Sequence, residues 1–192
     1  MIAGVILAGG RASRMGGGDK GLLLLGGRPI LARVVERLAP QVEPLALNAN
    51  GDPARFAAWG LPVVGDSVAG HPGPLAGVLA GMDWAAAAGA ETVVTAAADT
   101  PFFPVDLVAR LRVAGPFAMA ATPGEDGPER HPTFGLWPVG LRDDLRAALG
   151  AGLRKVVAWS DPHGCATVVF PEAEAFFNVN TPEDLARAEA MA

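Results

Sequence analysis

The sequence predicts an α/β fold, a single three-layer domain over residues 1–192 built on a mostly parallel, twisted sheet with one antiparallel strand. Three observations carry this. Short apolar runs alternate with helix-period segments along most of the chain, the pattern of strands and crossover helices. The first apolar run ends abruptly in a glycine-rich turn, as a strand does where it meets a ligand loop. Only the stretch 117–137 breaks the alternation, with two apolar runs joined by a polar loop, and the antiparallel strand is expected there.

The bulk numbers agree. The chain has 192 residues, 51% hydrophobic and 18% charged, enough for one sizeable core and too apolar for disorder. A net charge of −5 argues against general nucleic-acid binding, which needs a basic face. A single cysteine, Cys165, forbids an internal disulfide and is compatible with a reducing compartment. The start lacks the charged region of a signal peptide, and no apolar run reaches membrane-spanning length. The expectation is therefore a cytoplasmic protein without membrane contact.

In chain order, the opening strand runs into a loop that begins with Gly9-Gly10 and holds five glycines in all, with Arg11, Arg14 and Lys20. Glycines let backbone N–H groups converge on a phosphate, and the cations add fixed positive charge. Three cations against the one acid Asp19, in an acidic chain, favour a phosphate cradle over a mere surface loop. The stretch fits neither the P-loop nor the Gly-x-Gly-x-x-Gly dinucleotide pattern. After a short apolar segment closed at Gly26-Gly27, Pro29 opens a helix through Ile30, Leu31, Val34, Val35 and Leu38. Leu45–Asn50 reads as a buried strand ending in two amides, and 51–60 as a turn and short helix around Phe56 and Trp59. Leu61–Val64 is a short strand followed directly by Asp66. Leu75–Ala88 is a small-residue helix whose Gly77 and Gly81 let it sit close to a sheet. Glu91–Ala98 is the clearest buried strand and runs into Asp99. Helices are expected over 104–112, 139–149 and 153–159, and strands over 117–122, 133–137 and 167–170. In the last helix Thr181 is a natural N-cap, Pro182 fits the first turn, and Glu183 and Asp184 complement the dipole.

Ligands of open parallel α/β sheets bind beyond the carboxyl ends of the strands. Gly9 to Lys20, Asn48, Asp66, Asp99, Asn178 and Asn180 all follow an apolar run and are expected to converge on that rim. Asp99 is the foremost candidate, since a carboxylate closing an apolar strand is costly to leave unpaired. A divalent cation would pair it; as the cap of the turn through Thr100 and Pro101 it is equally well explained. His71, His131 and His163 have no metal-ligand spacing. Cys165 reads as a packing residue, and so do the tryptophans, with Trp137 the one candidate for base stacking.

The segment Leu7-Ala8-Gly9-Gly10 through Ser13, Arg14 and Asp19-Lys20-Gly21-Leu22-Leu23 resembles the signature of Rossmann-like nucleotidyltransferases. Further segments match in order the molybdenum cofactor guanylyltransferase family: Asn48-Ala49-Asn50, Asp66-Ser67, Gly73-Pro74-Leu75-Ala76-Gly77, Asp99-Thr100-Pro101, Phe134-Gly135-Leu136-Trp137 and Phe177 to Leu185. The one departure is Ala97-Ala98 where the family often has Pro-Cys. The resemblance implies transfer of GMP from GTP to molybdopterin carrying molybdenum, with release of pyrophosphate and with Mg²⁺ as cofactor. It implies that Leu7, Ala8 and Gly9, with Gly10 beside them, hold the nucleotide through the backbone. Arg14 and Lys20 would contact phosphates, Asn48 and Asp66 the guanosine, and Asp99 the metal. Asn178 and Asn180 would lie toward the metal or the pterin. The catalytic set would be Arg14, Lys20 and Asp99, with Lys20 and Asp99 facing each other across the triphosphate. A cytidylyltransferase or sugar-phosphate nucleotidyltransferase on the same fold stays open, although the small Gly9-Gly10 pair leaves room for a purine. A non-catalytic adaptor delivering cofactor to molybdoenzymes, or working with other cofactor-biosynthesis proteins, is the alternative of a different class.

Overall fold

Strand β1 (Ile2–Leu7) alternates its side chains between two cores, Ile6 into one and Ala3 and Val5 into the other, as the two-residue period of a strand covered on both faces requires. The computed structural model describes residues 1–9, 18–70 and 73–192. Around β1 assemble β4 (Leu45–Asn48), β5 (Val63–Val64), β6 (Thr92–Ala97), β7 (Ala118–Thr122), β8 (Glu129–Pro138) and β9 (Ala166–Val169), in the order β5-β4-β1-β6-β8-β7-β9. β1 pairs in parallel with β4 and β6, β4 with β5, and β7 with β9; β8 alone runs antiparallel, to both β6 and β7. The single reversed strand therefore falls in the stretch where the sequence pattern breaks.

One face of the sheet is covered by α1 (Ile30–Leu38) and α3 (Leu107–Ala114), the other by α2 (Pro74–Ala87), α4 (Arg142–Gly150) and α5 (Val156–Ser160). α1 buries Ile30, Leu31, Val34 and Leu38, one stripe at helical spacing. α2 packs against the sheet and α4, has nine of its 14 residues buried, and carries one charge, Asp83, which pairs with Arg146 of α4 at 2.7 Å. Its glycines set its distance from the sheet. A Cβ on Gly81 would come within 3.2 Å of Val5, and one on Gly77 within 2.5 Å of the Asn48 amide oxygen and 2.9 Å of Leu7. The last helix, α6 (Pro182–Met191), starts with a reciprocal capping box between Thr181 and Asp184.

Several boundaries differ from the sequence reading. α3 begins at Leu107 rather than near 104, because residues 104–107 close a turn through the Leu107 N–H to the Pro104 carbonyl, 3.1 Å. β8 begins at Glu129, taking in charged residues that read as loop; its register with β7 shifts between Met119 and Ala121, and Pro132, which has no N–H to donate, sits in that irregularity. The segment after Lys20 contains a small antiparallel pair, β2 (Leu24–Leu25) with β3 (Arg28–Pro29), joined by Gly26 and Gly27 at positive φ. Among the described residues no helix is long and apolar enough to cross a membrane.

Candidate active site

The strand directions dictate where a site can form. The carboxyl ends of β1, β4, β5, β6, β7 and β9 share one rim with the beginning of β8. A cleft of about 530 Å³ opens there, a volume suited to a small-molecule ligand. Leu7, Ala8 and Gly9 line it from β1, Asn48 and Asn50 from β4, Asp66 from the segment after β5, and Asp99 from the end of β6. Lys20, Thr133, Asn178 and Asn180 close the other side, and Gly73, Pro74 and Gly77 bring in the start of α2. Gly10 and Arg14 lie outside the described residues.

At one end of the cleft, the Lys20 ammonium lies 3.3 Å from the Asp99 carboxylate and also donates to the Asn180 amide oxygen. Asp99 follows the central strand of the sheet, whose Val93 to Ala97 are all buried. Its backbone carbonyl accepts from the Val179 N–H at 2.9 Å, which stitches the Asn178–Asn180 segment to the end of β6. Val179 points into the core, and the amides on either side of it line the cleft. The fully buried Thr100 hydroxyl lies between Asp99 Oδ1, 3.1 Å away, and the Asn178 amide. Carboxylate and amide oxygens around Asp99 are hard donors, which suits Mg²⁺ held by one carboxylate together with substrate phosphates.

At the other end, the Asn48 amide donates to the Val64 carbonyl at 3.1 Å and to Asp66 Oδ1 at 3.0 Å. Asn50 donates to Asp66 Oδ2 at 2.8 Å and accepts from the Asp66 N–H at 2.8 Å. The carboxylate is thus fixed by two amides while each of its oxygens keeps a further acceptor site. Asn50 lies in the site although the sequence alone assigned it no role there. Its signals were its place as the second of the two amides ending the strand and in the matching segment Asn48-Ala49-Asn50. Thr133 also lines the cleft without having been singled out, and Thr100, expected only as part of the turn after Asp99, supports Asp99 through its hydroxyl.

Residues outside the cleft have other work. Trp137 is fully buried, donates to Thr95 Oγ1 at 2.8 Å and packs on Phe117 and Trp159, so it does not stack on a ligand in the cleft. His131 stacks on Phe176, with centroids 4.5 Å apart, and bonds Thr122 at 2.9 Å; burial lowers its pKa, partly opposed by the charge of Glu129. Arg130 forms a forked pair with Asp161. Burial pushes the Cys165 thiol up to about 11, and the neighbouring Asp161 charge acts in the same sense. Such a thiol is a poor nucleophile. Among the described residues no group of three or more His, Cys, Asp and Glu side chains is placed to hold a metal by itself.

An open α/β sheet whose first strand leads into Gly9, with a lysine and an acid meeting at its ligand rim, is the arrangement of a nucleotide-binding enzyme of the nucleotidyltransferase type, the class to which the family match below assigns the chain. The same fold occurs in molybdopterin-guanine dinucleotide biosynthesis protein A from Archaeoglobus fulgidus, with TM-score 0.74 and 23% identity over all of this chain and 98% of that one. It also occurs in 4-diphosphocytidyl-2C-methyl-D-erythritol synthase from Anaerococcus prevotii, with TM-score 0.76 and 15% identity over all of this chain and 97% of that one. The chain belongs to the MobA-like NTP transferase domain family, whose model matches residues 4–164. A relative from Cereibacter sphaeroides named molybdenum cofactor guanylyltransferase is 57% identical over 191 residues, 99% of this chain and 96% of the relative.

Proposed function

We propose that the protein transfers GMP from GTP to molybdopterin carrying molybdenum, forming the guanine dinucleotide form of the cofactor and releasing pyrophosphate. The observation that carries this reading is the single cleft with Lys20 and Asp99 at one end and the Asn48–Asp66–Asn50 cluster at the other. The 57% identical relative's name supplies the choice of nucleotide and acceptor.

Nucleotidyl transfer needs no protein nucleophile. A terminal phosphate oxygen of the acceptor attacks the α-phosphorus in line, and the bond to the β-phosphate breaks as pyrophosphate leaves. That phosphate is already ionised at neutral pH, so no general base is required. The protein's task is to bring two polyanions together and neutralise the charge they share. In this reading the backbone of Leu7, Ala8 and Gly9 cradles the nucleotide. Asn48 and Asp66 hold the guanosine. Lys20, with Arg14, spreads its charge over the phosphates. Asp99 would hold Mg²⁺, with the amides of Asn178 and Asn180 nearby. An Mg²⁺ held there would supply positive charge against the negative charge of the phosphates and the leaving pyrophosphate.

Calorimetric titration with GTP, CTP and ATP, each with and without Mg²⁺, followed by turnover with molybdopterin carrying molybdenum, tests the assignment. Selective, Mg²⁺-dependent binding and consumption of GTP is the expected result. Productive use of CTP in preference to GTP would overturn the guanylyl assignment and leave the nucleotidyltransferase class standing.

A further inference from the structure

Asp19 is an anomaly in a phosphate-binding loop, because a carboxylate beside Lys20 repels the ligand the lysine attracts. Its partner is Arg55, whose Nε lies 2.7 Å from Asp19 Oδ2. The remaining guanidinium nitrogens donate to the Asn50 and Asp52 carbonyls, each at 2.6 Å. The plane of the group lies over the buried Phe56 ring, 4.7 Å from its centroid. Gly51, at φ +85°, turns the chain there, and a Cβ on it would stand 3.3 Å from Nη1. The side chains are only 27% and 14% exposed; two carbonyls hold the guanidinium by hydrogen bonds, and the Asp19 carboxylate meets its Nε through charge, without a hydrogen bond. An isolated surface ion pair has neither property.

We propose that Arg55 is a positioning residue for the reaction described above, an inference that rests on that reading. It ties Asp19, next to Lys20, to the Asn50 turn that fixes Asp66. One side chain thereby sets the spacing between the phosphate end and the nucleoside end of the cleft, and it neutralises the one acid in the loop. The Asp19 and Lys20 carbonyls accept from the Leu22 and Leu23 N–H groups at 3.0 and 3.2 Å, so the turn carrying Lys20 moves with Asp19.

The test compares Arg55→Gln and Arg55→Lys with the parent protein in three measurements: binding of GTP and of guanosine with Mg²⁺, kcat and KM for GTP, and amide exchange at Leu22 and Leu23. Arg55→Gln should weaken GTP binding about tenfold while guanosine binding stays within about twofold. Exchange at Leu22 and Leu23 should speed up by a similar factor, and Lys20→Ala should cost much less GTP affinity in the Arg55→Gln background than in the parent. Arg55→Lys, which keeps the charge but not the fork, should fall between. Equal weakening of GTP and guanosine would mean a purely structural role and overturn the proposal, as would unchanged exchange at Leu22 and Leu23. The exchange measurement needs no ligand. If the parent protein prefers another nucleotide, the donor assignment falls, and the same comparison with that nucleotide and its nucleoside still decides the role of Arg55.

Discussion

The Asp99 carboxylate and the Lys20 ammonium sit 3.3 Å apart, each about one-fifth exposed, beyond the end of the central strand β6, which is buried from Val93 to Ala97. Charges placed there act through little water, so their removal should cost rate rather than stability. Asp99→Ala and Lys20→Ala are each expected to lower turnover by on the order of 10²-fold or more with the fold intact. Near-parental rates for both at saturating GTP and Mg²⁺ would remove them from the catalytic set. The opposite expectation holds for Cys165. With its pKa at about 11, its thiolate fraction near pH 8 is roughly 10²-fold below that of an ordinary thiol. Alkylation of the folded protein should be slower by about that factor, and Cys165→Ser should keep full turnover. Much of this residue-scale picture was legible beforehand, because Lys20, Asn48, Asp66, Asp99, Asn178 and Asn180 each follow an apolar run and the rim rule gathers such positions. What stayed hidden were contacts with no local signature: Asn50 with Asp66 across 16 residues, and Asp19 with Arg55.

At the scale of elements, the site depends on how closely α2 approaches the ends of β1 and β4. Gly77 allows that approach, and the Cβ of Gly77→Ala would collide with the same Asn48 side chain that holds Asp66. The substitution should destabilise the protein by about 1–3 kcal/mol, as overpacking does. It should also weaken GTP binding, which urea titration and calorimetry can measure separately. Sequence pattern identified α2 and its two glycines correctly, since small residues at a spacing of four have one strong structural explanation. It failed at the start of β8, where Glu129, Arg130 and His131 look like a solvated loop. There the strand is maintained by an irregular register, a forked pair to Asp161 and the stacking of His131 on Phe176, none of which leaves a periodic trace.

For the molecule as a whole, His131 ties stability to pH. Burial between Thr122 and Phe176 lowers its pKa below the ordinary 6.5, and the negative charge of Glu129 offsets this only in part. The unfolded chain therefore binds the proton more readily than the folded one. The neutral imidazole's contribution to stability is complete above pH 6.5 and is lost as the pH falls through the window below it. Denaturant titrations at pH 7.5 and pH 5 should show the loss, and His131→Gln, which cannot titrate, should show a smaller one. The layered α/β architecture and its one reversed strand were readable from the alternation of apolar runs. The overall arrangement follows from many weak signals that agree, whereas any single contact depends on one.

The reversal of β8 has an evolutionary corollary. Because β7 climbs to the ligand rim and β8 descends from it, residues 123–128 join them as a hairpin that carries no crossover helix. It can be lengthened, shortened or exchanged without disturbing the layers beneath. Variation in what lies beside the cleft has an inexpensive route there, one that leaves the meeting of Asp99 and Lys20 at the end of β6 alone.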